Sequence, residues 1–385
     1  MTQHKRFTIL YLFPLAFDII VSVSLFAGRH SLAEQGLSAV KVGSILTMYG
    51  VGYVLANVLM ARIIKPDKAR MQMVLASVIT AAILVLISQI RELFFIQVTF
   101  ILLPIAVSFF FNAFQNFMLT FDSGAGKPLT RTVAYYTGAW SIGYALGPIV
   151  ASFVKENMGW PSAYIAASIV AGAIGIVAML FKPESDKTVS SEKIAPIALN
   201  HESKSLAPAA WIGVVTGWTA LNVIFTYWPL QAEAFKLNVQ TKGAVEFTFA
   251  MAQSLASFAL AGVSSSYYFN RKIPWIGLLG VISLIMFALV NTPLLFIAAA
   301  AIFGIYTAHI LNSMVFHSMI DKSKAVKRIA INEVCVGSCF LMAAPIAGAM
   351  RHLLPAVNLS YFGVAFFVLS GITLQSLVMS RLKKG

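Results

Sequence analysis

The sequence predicts an all-α integral membrane protein whose twelve spanning helices form two pseudo-symmetric bundles of six. Three observations carry that prediction. Apolar residues make up 59% of the 385-residue chain and charged residues only 11%, less than half of the roughly 25% usual in a soluble domain. Apolar runs of about 20 residues, enough to cross a hydrocarbon core of about 30 Å, succeed one another along the chain. Strand-like alternation is absent, which rules out a transmembrane barrel on pattern.

The runs fall at about 7–32, 40–62, 71–90, 93–119, 132–154, 160–181, 209–235, 243–268, 274–291, 293–318, 329–351 and 358–380. The first, from Phe7, has no small-residue cleavage site after it and reads as a span rather than a removed leader. Segment 182–208, KPESDKTVSSEKIAPIALNHESKSLAP, holds four lysines and four acids among serines and prolines. It cannot bury a core, so a flexible linker is expected between bundles at 1–181 and 209–385.

Charge tests the count, because one missed span would scramble its alternation. With the N-terminus inside, inner segments hold 21 of the 28 Lys and Arg, and the other seven are Arg29, Lys41, Arg91, Lys155, Lys236, Lys242 and Arg351. Both termini are therefore expected in the cytoplasm, with the chain in the cell (inner) membrane. The net charge of +14 reports topology and contact with anionic membrane lipids, and needs no nucleic acid.

An internal repeat follows the same division. A shift of 197 carries Pro148 onto Pro345, Arg131 onto Arg328, and Asn112, Gln115 and Asn116 onto His309, Asn312 and Ser313. Leu37 and Gly43 match Leu237 and Gly243 at a shift of 200. Two parallel halves place a substrate site at their interface.

Three stretches then acquire meaning together: LSAVKVGSILTMYGVGY (37–53), GAWSIGYALGPIVAS (138–152) and GWPSAYIAAS (159–168). With the six-plus-six layout, the chain resembles the major facilitator superfamily over essentially its whole length. The second stretch is similar to the family's fifth-helix run ending in Gly-Pro. Gly143 and Gly147 share a helix face and admit another helix at backbone distance. Pro148 bends the span, and a neighbouring helix can satisfy the carbonyl it frees. A hinge or gate suits such a helix, although an ordinary packed helix would carry the same residues. The resemblance links the run mainly to antiporters, which implies export.

The family's cytoplasmic-loop motif is matched in part by RIIKPDKARM (62–71), with Asp67, Lys68 and Arg70 but Ala69 where glycine is expected. Between the eighth and ninth spans, FNRKIP keeps only Arg271 and Lys272. The resemblance also implies a monomer and a cavity lined by helices one, four, seven and ten. Their polar members are Asn112, Gln115, Asn116, Trp218, Asn222, Thr226, His309 and Asn312. Hydrogen bonds between helices would explain the same residues. Trp140 and Trp218, with Tyr49, Tyr53 and Tyr136, could wall the cavity for an organic substrate or simply pack the core.

Eleven of the fourteen acids lie in loops or at span edges; Asp18, Glu246 and Glu333 lie within spans. A carboxylate at the centre of a span costs about 2.5–3.5 kcal/mol on insertion scales and usually faces a cavity or a partner. Asp18 is therefore the leading candidate to load and release a coupling proton, ahead of Glu333 and Glu246, although a structural hydrogen bond or a neutral buried acid would also account for it. Glu333 follows Arg328 by five residues and could form a gate salt bridge with it, or either could pair with Lys324 or Arg131. Glu246, one turn inside its span, is expected at the membrane interface, and Arg29 is expected to snorkel to the headgroups, with clamping of an anionic substrate as its alternative. Trp160, Trp211, Trp228 and Trp275 read as interfacial anchors.

Cys335 and Cys339 sit one turn apart and read as buried packing. There is no phosphate-binding loop, no HExxH and no GxSxG, so neither an enzyme nor a cofactor is expected. The residues, taken with what the resemblance implies, point to a proton-coupled exporter of a small organic solute, working by alternating access. A proton symporter importing a metabolite or organic anion is the alternative. A membrane-embedded enzyme or sensor would need a cluster of acids or histidines at one membrane face, which the sequence does not offer.

Overall fold

A computed structural model describes residues 10–64, 66–119, 129–180, 205–320, 322–354 and 356–382. Among them there is no strand. The first half comprises α1 (Leu12–Glu34), α2 (Ala39–Ile63), α3 (Ala69–Gln89), α4 (Leu93–Leu119), α5 (Leu129–Met158) and α6 (Trp160–Leu180). The second comprises α7 (Ala207–Ala234), α8 (Val239–Ala259), α9 (Gly277–Leu289), α10 (Pro293–Met319), α11 (Lys322–Leu353) and α12 (Val357–Leu382). Most of the expected linker, 182–204, lies outside the described residues.

Eleven of these helices are long and apolar enough to cross a membrane. The ninth is shorter than expected: even with the 3-10 turn Ile273–Ile276 in front of it, it ends at Leu289. The eighth stops at Ala259 rather than reaching 268. There the chain enters a 3-10 turn, and Val263 and Ser264 adopt extended dihedrals before a four-residue helix, Ser265–Tyr268. Small and hydroxylated residues at 261–266 favour local turns over helix continuation.

One end of the bundle carries the short connections after α1, α3, α5, α7, α9 and α11; the other carries the linker. These are called here the short-loop end and the linker end. Contacts between the halves run mainly along two seams, α5 on α8 and α2 on α11, with α7 also touching α1 and α2.

The structure revises the repeat. Asn112 Nδ2 donates to Asn57 Oδ1 at 2.9 Å, joining α4 to α2, and Asn312 Nδ2 donates to Ser257 Oγ at 2.9 Å, joining α10 to α8. These two bonds are 200 residues apart at both ends. Asn112 therefore corresponds to Asn312, and not, as the shift of 197 implied, to His309. Gly36 (φ 73°) and Lys236 (φ 53°) occupy the same left-handed turn position, again 200 apart. The shift falls to 197 by Pro148 and Pro345, because the first half has three more residues between Asn112 and its fifth-helix proline than the second has between Asn312 and Pro345.

The glycines of α5 bring helices together as the sequence suggested, but within one half. A Cβ on Gly143 would lie 2.0 Å from Leu15 O, and one on Gly147 would lie 2.4 Å from Ser22 Cβ. Both face α1. Pro148 leaves the Tyr144 carbonyl without its helical donor, and the Ser22 hydroxyl of α1 donates to that carbonyl at 2.6 Å. Polar pairing and close approach thus fix α1 against α5. Contact with the other half comes from another face of α5. Ser254 Oγ donates to Gly138 O at 2.9 Å, and a Cβ on Gly243 would meet Pro148 O at 2.8 Å.

A side chain at Gly143 must therefore push α1 away. Gly143→Ala is expected to lower the thermal midpoint of the purified protein, through an overpacking cost of about 1–3 kcal/mol. Gly172→Ala is the control, since an added Cβ there meets nothing within 4 Å. Equal midpoints for the two variants would contradict this account of α5.

Candidate functional site

The two halves together line a cavity of about 140 Å³, whose wall includes Asp18, Tyr49, Tyr53, Phe111, Tyr136, Trp140, Tyr144, Trp218, Glu333 and Phe340. Helix position explains its location. Phe111 of α4, Tyr136 of α5, Leu311 to Val315 of α10 and Glu333 of α11 all lie in the linker-side parts of their helices. The cavity therefore runs from the middle of the bundle towards the linker end.

Its wall is largely aromatic and is contributed by both halves. Trp140 of α5 meets Trp218 of α7 edge to face at 6.1 Å, and Tyr49 of α2 lies 5.2 Å from Phe340 of α11. Two carboxyl groups face this lining, and no Lys, Arg or His joins them among the described residues. Glu333 is engaged across the halves, accepting the Tyr53 hydroxyl at 2.5 Å. Asp18 receives no hydrogen bond and no ion pair among the described residues. Gly143 makes its position possible, because a Cβ there would stand 3.0 Å from Asp18 Cβ.

The short-loop end is closed by buried charge. Arg29 and Glu246 are each 1% exposed in their side chains. Arg29 Nη1 and Nη2 donate to Glu246 Oε1 and Oε2 at 3.1 and 2.7 Å, a two-pronged pairing across the halves. Arg29 Nε donates to Leu25 O at 2.9 Å and Nη1 to Phe225 O at 2.7 Å. The guanidinium lies 4.8 Å from the centre of the Phe225 ring, and His30 Nε2 donates to Glu246 Oε1 at 3.0 Å. Around this core, Lys155 pairs with Glu34 at 2.9 Å, Trp160 Nε1 donates to Glu34 at 2.8 Å, and Lys242 pairs with Glu233.

This arrangement corrects several expectations. Arg29 does not snorkel and Glu246 is not at the interface; each offsets part of the other's desolvation penalty. Trp228 is fully buried, with Nε1 donating to Lys242 O at 3.2 Å, and does not anchor in the headgroups. Of the polar residues expected in the cavity, Trp218 alone among the described side chains lines it, together with Asp18 and Glu333 from the list of acids. Asn112, Asn222 and Asn312 instead turn back on their own helices, donating to Ser108 O, Trp218 O and Ala308 O at 2.8, 2.9 and 2.8 Å. An amide in an apolar bundle must find a partner, and the carbonyl one turn earlier is the nearest. His309 sits away from the cavity, beside Tyr267, with Nδ1 donating to Ile305 O at 2.9 Å.

The side chains of Gln115, Asn116 and Arg131 lie outside the described residues. Arg328 Nη1 reaches His317 O at 3.5 Å, at the linker end. Asp67 and Lys68 are exposed on a 3-10 turn, Pro66–Lys68, with Arg70 half-buried just beyond it. Sequence reasoning missed Phe111, Tyr144 and Phe340 because single aromatic residues carry no signal amid 29 phenylalanines and 12 tyrosines.

Breaking a buried ion pair on one side strands a charge. Arg29→Gln and Glu246→Gln are each expected to cost about 3–5 kcal/mol, seen as a sharp loss of folded protein. The double variant should recover part of that loss, since no uncompensated charge remains. Single variants as stable as the double would show that the two charges do not depend on each other.

The sequence matches the family model described as Major Facilitator Superfamily over residues 8–326. No curated protein sequence matches the chain. Among solved structures, the fold is similar to a crystal structure of a bacterial homologue of the human lysosomal transporter Spinster, in an inward-facing and unoccupied conformation. The TM-score is 0.74 and the identity 11%, over 99% of this chain and 98% of that one. At that identity the likeness speaks for the fold alone. The family match runs from the first helix into the start of the eleventh, and the chain belongs to the major facilitator superfamily, as a multi-pass membrane transporter.

Proposed function

We propose that the chain exchanges protons for a small organic solute that carries a positive charge on an apolar, aromatic body, exporting it by alternating access. The observation that carries this reading is Asp18, a carboxyl group in an aromatic-walled cavity with no hydrogen-bond or ion-pair partner among the described residues. A carboxylate without a counter-charge is costly in such a site. A proton relieves the cost, and so does the cationic group of a solute. Only one of them can occupy Asp18 at a time, and that exclusion is what exchange requires. Aromatic faces add attraction for a cation.

In this reading the linker end is cytoplasmic, the two bundles at 1–181 and 209–385 rock against each other, and the protein works as a monomer. Glu333 and Arg328 act at the cytoplasmic side of the pathway. Glu246 serves the closure opposite them rather than proton loading, because Arg29 holds it. Export is supported by the likeness of GAWSIGYALGPIVAS to an antiporter motif.

The test uses purified protein in liposomes loaded with a pH-sensitive dye. Addition of a lipophilic organic cation such as tetraphenylphosphonium is expected to move protons in the opposite direction with wild type. A neutral or anionic compound of similar shape should move none. Asp18→Asn is expected to reduce coupled flux by about two orders of magnitude or more, matching the loss of roughly 3 kcal/mol of charge pairing in a desolvated site. Flux of solute and proton in the same direction would replace exchange with symport. Undiminished coupling in Asp18→Asn would remove Asp18 from the mechanism.

A further inference from the structure

Four prolines lie inside the described helices: Pro104, Pro148, Pro229 and Pro345. Each lacks an N–H, so the carbonyl four residues earlier loses its helical donor. In an apolar bundle such a carbonyl must be satisfied from elsewhere. Pro229 vacates Phe225 O and Pro345 vacates Leu341 O, both in the second half. Arg29 Nη1 donates to Phe225 O at 2.7 Å, and Thr47 Oγ1 donates to Leu341 O at 3.2 Å. Both donors come from the first half.

Thr47 fits the break in α11 on two sides. Its hydroxyl donates to Leu341 O, and the hydroxyl oxygen, Thr47 Oγ1, accepts the Ala344 N–H at 3.3 Å. The hydroxyl therefore sits within the opened turn of α11, in place of the missing proline N–H. Close approach makes this possible: a Cβ on Gly50, one turn further along α2, would lie 2.4 Å from Leu341 N. Pro148 behaves differently, since its vacated carbonyl is satisfied by Ser22 from the same half. Pro104 faces α2 of its own half, where a Cβ on Gly52 would meet its ring at 2.7 Å.

We propose that Arg29 and Thr47 are the positioning residues of a two-point latch, in which donors of the first half plug proline-made gaps in α7 and α11 of the second. The latch holds the short-loop end shut. Separating the halves there strips two carbonyls of their donors at once, that of Phe225 in the interior and that of Leu341 at a more exposed position, so that end opens only as other donors replace them. The asymmetry assigns the bias: the first half satisfies its own break at Pro148, and the second half satisfies its breaks only while the short-loop end is closed. This inference rests on the alternating-access reading given above, because it specifies what holds one of the two states.

The experiment measures the open population directly rather than through transport. Spin labels are placed on the exposed residues Gln35 and Ala234 of the full-length protein, with Cys335 and Cys339 replaced by alanine. The distance distribution across the short-loop end is recorded by pulsed electron resonance. Thr47→Val keeps the shape and removes the hydroxyl. It is expected to raise the open-to-closed ratio roughly twofold to tenfold, the effect of losing one hydrogen bond from the closed state. Thr47→Ser should behave as wild type.

Pro345→Ala supplies the missing N–H, so in that background Thr47→Val should change the ratio little. That is the signature of coupling between the two positions. An equal effect of Thr47→Val with and without Pro345, or no effect with it present, would overturn the latch. Should Pro345→Ala not fold, the contrast between Thr47→Val and Thr47→Ser decides alone. If neither wild type nor Thr47→Val ever populates a long distance while solute is being transported, the alternating-access reading fails along with the latch. A long distance that responds to solute but not to Thr47 defeats the latch only.

Discussion

Arg29 carries a full charge near the end of a membrane-spanning helix with its side chain 1% exposed, and much of the short-loop end is built to make that tolerable. A guanidinium offers five N–H donors in a rigid fork. Four donor contacts are accounted for here: two to Glu246, one to Phe225 O and one to Leu25 O. Three of the four cross to the other half. The requirement to satisfy one buried cation thus brings α1, α7 and α8 together, and the sequence neighbours of those residues follow. Glu246 gains His30, and Gly243, one turn before it, lets α8 close on Pro148 and Ser152 of α5.

The same physics with the opposite outcome sets the middle of the bundle apart. Burying a charge costs free energy unless it is paired. At the short-loop end every described carboxylate deep in the bundle has a partner. In the cavity, Glu333 has Tyr53, and Asp18 has none among the described residues. A structural site closes its own electrostatics. An unclosed one draws a proton or a cation from outside, and its position between the two halves connects that event to their relative motion. Aromatic side chains from both halves, Trp140 against Trp218 and Tyr49 against Phe340, make the cavity responsive to whatever separates them.

Much of the fold was legible because the bilayer simplifies the code. Twelve apolar runs, an alternating distribution of Lys and Arg and one polar linker leave little choice of topology. Gly143, Gly147 and Pro148 were legible as a close-packed bent helix, because small residues and proline act locally. Their partner was not: nothing in the order of residues says that Ser22, 122 positions away, supplies the proton for Tyr144 O. The pairing of Arg29 with Glu246, 217 positions apart, was hidden for the same reason. Each residue alone looked like an interfacial charge, the commonest fate of such residues at a span end. The amides misled in another way. Asn112 and Asn312 recur symmetrically because they hold helices within each half, so symmetry marked architecture where a binding site had been read. The eighth span was drawn too long, to 268, because composition cannot see that the chain leaves the helix after Ala259 and turns at Val263 and Ser264.

One measurement tests most directly that this chain carries solute through a single cavity opened alternately to each side. A lone cysteine at Val336, which lines the cavity, is introduced after removal of Cys335 and Cys339. Its labelling by a membrane-impermeant thiol reagent is followed from each face of oriented vesicles. The account predicts labelling from the linker side alone at rest, and a new component from the short-loop side when solute and an opposing proton gradient are supplied. Labelling from both sides at rest, or from neither side under any condition, would contradict it.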